Sequence, residues 1–124
     1  MQRLEHAVNA LEEVLVGPPH LQHLWQHPWR HLVRDRLTTV HEALAAEQPT
    51  ASESWLDARV GRVSRERDRL LALIGVFRST VVDAADVQAL QHSLLDLVQD
   101  LHRYHQRIND LAYDAVAMEV GGSE

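Results

Sequence analysis

Residues 86–118 read DVQALQHSLLDLVQDLHRYHQRINDLAYDAVAM. Steps of three and four through this stretch land on Val87, Leu90, Leu94, Leu97, Leu101, Tyr104, Ile108, Leu111, Ala115 and Met118, and no Pro or Gly interrupts them. An apolar period of about 3.5 residues is the seam of a long helix whose side chains interlock with neighbouring helices. At 1.5 Å per residue the stretch spans roughly 50 Å, so its partners must be long helices as well.

The rest of the chain supplies them. A first helix is expected over 2–16, with Leu4, Val8, Leu11 and Leu15 on one face, and Gly17-Pro18-Pro19 stops it. A connector rich in His and Trp follows, and Pro28 suits the first turn of a second helix over 28–47 with Val33, Leu37, Val40 and Leu44 as its seam. A break or kink is expected near His27, because the residue before Pro avoids the α region. Ser52 or Ser54 can cap a third helix that keeps the pattern through Leu56, Val60, Val63, Arg67, Leu70, Ile74, Phe77 and Val81. Asp83 or Asp86 can cap the last. The expectation is one all-α domain over 1–120, an up-down four-helix bundle, with 121–124 as a flexible tail.

Composition narrows the function classes. The chain has 124 residues, 45% hydrophobic and 24% charged, enough for one domain with a real core. It contains no Cys, so thiolate metal sites and disulfides are excluded and a cytoplasmic home is expected. The apolar run 70–77 is too short to cross a bilayer, so no membrane is expected as partner. A net charge of -6 argues against nucleic acid, whose affinity comes from neutralising phosphates. Every basic residue is Arg, the habit of a GC-rich bacterial genome, and nine His make the chain histidine-rich.

Three constellations could carry chemistry. Arg67 holds a seam position where an apolar residue is expected, so it is either buried against an acceptor on another helix or snorkels to the surface. The candidate acceptors are Asp110, Glu42, Glu12 and the His side chains. His105 flanks the seam of the last helix and His41 that of the second, and the two converge on a metal or are each half-buried beside one partner. His20, His23, His27 and His31 form a stripe if helical, an alternative metal site; the competing reading is a solvated face whose Trp25 and Trp29 cover the bundle end or a partner subunit. Arg59, Arg62, Arg65 and Arg69 are interleaved with Asp57, Glu66 and Asp68, the pattern of an exposed ion-paired face. No phosphate loop, nucleophile elbow or HExxH is present.

Taken in helix order, Leu4-Glu5-His6, His41 and His105-Gln106-Arg107-Ile108-Asn109-Asp110 resemble the hemerythrin-like (HHE cation-binding) proteins. The resemblance implies an up-down bundle around a non-haem iron centre that binds or senses small ligands. The HxxxxD of the last helix matches at His105 and Asp110. Ala45 stands where the second-helix motif has Glu, and Arg67 stands beside Glu66 where the third has His. The implied ligand set is therefore degenerate: His41, His105 and Asp110 for iron, mononuclear or di-iron, with Arg67 as a nearby cation replacing metal charge. The expected function is a non-catalytic bundle whose metal site is empty or holds a single ion weakly. The alternative is a metal-free interaction or scaffold protein that forms a homodimer or binds a partner through helix faces and the connector.

Overall fold

The computed structural model describes residues 2–17, 27–47 and 57–122, with side chains over 3–17, 28–47 and 58–114. Four helices account for nearly all of these residues: α1 (Gln2–Leu15), α2 (His27–Ala46), α3 (Asp57–Thr80) and α4 (Val87–Gly122). The sequence expectation of an all-α four-helix bundle is met. Ser52, Ser54 and residues 18–26 lie outside the described residues.

The helix starts and stops follow local chemistry. At α4, Asp86 accepts a hydrogen bond on Oδ1 from the Ala89 N–H at 3.0 Å, and its own carbonyl accepts from Leu90 N–H at 3.0 Å. Asp86 rather than Asp83 is thus the N-cap, satisfying a donor that has no partner within the first turn. The α4 helix carries on through Gly121 and Gly122, beyond the point where a tail was expected. At the end of α1, Val16 N–H bonds Glu12 at 3.0 Å before Gly17 leaves the helix.

Each helix packs on two others, α1 on α2 and α4, and α3 on α2 and α4. Direction can be read from the contacts. Leu15 of α1 is bonded by Gln91 near the start of α4, whereas Glu5 lies beside His105 far along it, so these helices run antiparallel. Likewise Arg30 of α2 reaches Val81 and Val82, while the Glu47 carbonyl meets Arg67. Arg107 and Asp114 of α4 meet Glu66 and Arg59 of α3 in the same opposed order.

The core is the set of seams. Leu4, Val8, Leu11 and Leu15 join Val33, Leu37, Val40 and Leu44, then Val63, Leu70, Ile74 and Val81, with Leu90, Leu94, Leu97, Leu101, Tyr104 and Ile108 of α4 between them, all buried. Each fully buried Leu contributes about 1.5–3 kcal/mol through apolar area removed from water. Phe77 and Val87 of the expected seams are half-buried and pack on this core from its margin.

Candidate functional site

The expected metal residues occupy separate places. His41 is half-buried on α2, His105 is half-buried on α4, and Asp110 is exposed one and a half turns further on. Among the described residues there is no group of three or more His, Asp or Glu that could hold a metal ion. His105 turns toward α1, its Nε2 3.8 Å from Glu5 Oε2, and its Nδ1 is buried with no partner among the described residues. Three residues back, His102 Nε2 is 3.3 Å from Glu12 Oε1. Asp110 accepts a hydrogen bond from Gln106 Nε2 at 3.1 Å. His31 is exposed on α2, whereas His23 and the His27 side chain lie outside the described residues, as does most of the connector.

Arg67 is largely buried, its side chain 20% exposed, but among the described residues none of the acceptors expected from sequence holds it. Its Nη1 donates to the Glu47 backbone carbonyl where α2 ends, and Nη2 is 3.6 Å from Asp68 Oδ1. Glu12 is beside His102, Glu42 is exposed, and Asp110 is bonded to Gln106. A helix C-terminus explains the preference, because its last carbonyls lack internal donors and its dipole attracts a cation. The sequence misled because it counts carboxylates and cannot show where a chain end will bring a free carbonyl.

Tyr104 lies fully buried in this neighbourhood, and its hydroxyl has no hydrogen-bond partner among the described residues. Burial pushes its pKa up to about 12; Glu47, Glu66 and Asp68 add to the shift and Arg67 opposes it. The phenol is therefore held neutral, as a packing group with a stranded donor.

Further toward the α4 C-terminus, α3 and α4 enclose a cavity of about 350 Å³ lined by Arg59, Arg62, Val63, Glu66, Arg107, Asp110 and Leu111. Arg107 is ion-paired to Glu66, whose side chain is 17% exposed, and Arg59 Nη1 lies 2.7 Å from Asp114 Oδ2. The arginine-rich face expected to pair within α3 thus pairs in part across to α4. The signal was legible in principle: Arg59, Arg62, Val63 and Glu66 recur at helical spacing, as do Arg107, Asp110, Leu111 and Asp114.

The stripe of α4 that carries His102 and His105 toward α1 continues through Asn109, Ala112 and Tyr113. The α1 helix begins at Gln2, less than a turn beyond Glu5, and leaves Ala112 exposed and Tyr113 74% exposed. Asn109, Ala112 and Tyr113 carry no charge, and Asp110 and Asp114 flank them.

Among the described residues no helix is long and apolar enough to cross a membrane. No family model, curated protein or solved structure matches this chain.

Proposed function

We propose that this protein is a small, non-enzymatic, cytoplasmic interaction module that forms a homodimer through the part of α4 that outruns α1. The observation that carries the proposal is Tyr113, 74% exposed on the stripe that α1 covers further back along the same helix. A helix is stable in water chiefly through its packed face, so an uncovered continuation of that face favours a further helix against it. An exposed Tyr is of a residue type enriched in interface cores. The same stripe of a second copy, related by a two-fold axis, is the simplest occupant, because one self-complementary patch then serves both partners.

On this reading the likeness to hemerythrin-like bundles lies in helix order, and the ligand positions serve packing and pairing. The bond from Arg67 to the end of α2 supports that view. A second reading, one weakly held metal ion, draws on His105, whose Nδ1 is buried with no partner among the described residues and whose Nε2 faces Glu5. Two such donors are fewer than the four ligands a tight transition-metal site ordinarily uses.

Sedimentation velocity tests the dimer. The wild-type chain is expected to be dimeric at tens of micromolar, and Tyr113→Glu to be monomeric with unchanged helical circular dichroism. A wild-type chain that remains monomeric at about 100 µM, weaker than any ordinary homodimer, would remove the proposal. Stoichiometric iron uptake that is lost in both His105→Ala and Glu5→Gln would favour the second reading instead.

A further inference from the structure

The cavity between α3 and α4 lies on a different side of α4 from the Tyr113 stripe and raises a separate question. Its lining combines an apolar floor with charged groups, one of which has no opposite charge paired to it among the described residues. Val63 and Leu111 form the floor, both nearly fully buried. Three guanidinium groups and two carboxylates are among the described residues around it, and Asp114 on Arg59 makes a third carboxylate. Arg107 is engaged by Glu66, and Arg59 by Asp114, which stands outside the lining. Asp110 already accepts the Gln106 amide. Arg62 alone among the three arginines has no carboxylate partner among the described residues.

We propose that this cavity is a binding site for a small organic carboxylate, with its acid group on Arg62 and its hydrocarbon body over Val63 and Leu111. The volume of about 350 Å³ falls in the range of small-molecule sites, which are mostly apolar with a few fixed polar groups. A guanidinium fork matches a carboxylate in shape as well as charge. The flanking Arg107 and Arg59 forks are engaged by Glu66 and Asp114, so the fork of Arg62 is the group left to recognise a ligand. A bare inorganic anion leaves the floor unused.

Isothermal titration with straight-chain sodium carboxylates from acetate to hexanoate, and with hexylammonium chloride, tests the site in the full chain. The expected result is saturable hexanoate binding that tightens about threefold for each added methylene. Arg62→Gln should weaken hexanoate by about tenfold or more, since a charge-assisted hydrogen bond is lost, while the circular dichroism stays unchanged because Arg62 is exposed. Absence of saturable hexanoate binding by the folded chain overturns the proposal. So does equal binding of hexylammonium, affinity independent of chain length, or undiminished affinity in Arg62→Gln. Tyr113→Glu, which addresses the dimer, should leave hexanoate binding intact.

Discussion

Where α1 and α3 finish, side chains from other helices reach across to the last backbone carbonyls; where α3 starts and α4 finishes, charged side chains pair with one another. At the first end Trp29 Nε1 donates to the Val14 carbonyl at 3.1 Å, Gln91 donates to Leu15, and Arg30 Nη1 bridges Val81 and Val82 at 3.2 Å each. At the second end the ties are Arg59–Asp114 and Arg107–Glu66, beside a cavity. The Arg67 bond to Glu47 marks where the first kind of chemistry stops. A carbonyl at a buried helix end must be satisfied, so its donor is costly to remove. A surface ion pair competes with water and salt, so it holds its residues loosely. The first end is thus built to stay shut, and the second leaves room for a partner.

The largest expected effect is at the shut end. Trp29→Ala removes a buried indole, 5% exposed, and strands the Val14 carbonyl, so urea denaturation should show a loss of about 3–5 kcal/mol. The matching change at the open end, Arg59→Gln, should cost less than about 1 kcal/mol and still less at high salt. Equal losses would erase the contrast between the ends.

Next comes Tyr104. Its pKa is raised from 10.0 to about 12, so above pH 10 the unfolded chain releases a proton that the fold retains. Stability is therefore fully present below pH 10 and falls as pH rises toward 12, by on the order of 2–3 kcal/mol. In Tyr104→Phe that alkaline loss should shrink, with stability at neutral pH changed by less than about 1 kcal/mol because the hydroxyl bonds nothing among the described residues. A larger neutral-pH loss would show that the hydroxyl has a partner.

The smallest effects separate Arg67 from Asp110. Arg67→Met should cost about 1–3 kcal/mol by leaving the Glu47 carbonyl without its donor. Asp110→Ala should cost less than about 0.5 kcal/mol, since its one bond among the described residues is to an exposed amide. Comparable losses from both would restore the Arg67–Asp110 pairing that the sequence suggested.

How much of this was legible beforehand depended on the length scale of the signal. The four seams were visible because a 3–4 period repeats many times, and each repeat agrees with the next. The cap of the last helix was narrowed to Asp83 or Asp86 because a cap acts within one turn, and the Ala89 bond selects Asp86. The metal residues were a different matter: His41, His105 and Asp110 share a plausible order along the chain, but order does not determine which side chains meet. Arg67 was rightly marked as an oddity in the seam, yet its partner is a backbone carbonyl, a group every residue has and no residue name advertises. The α3–α4 cavity went unread because its lining spans two helices, and either half alone resembles an ordinary solvated face.

The amino-acid sequence by itself determined the helices, their buried faces and the all-α class, since periodicity and capping are local properties that each segment expresses alone. Only the tertiary structure decided where α1 stops against α4, which carbonyl takes Arg67, and which charges surround the cavity. Those outcomes depend on the lengths and axial offsets of packed helices, which emerge when the seams lock together.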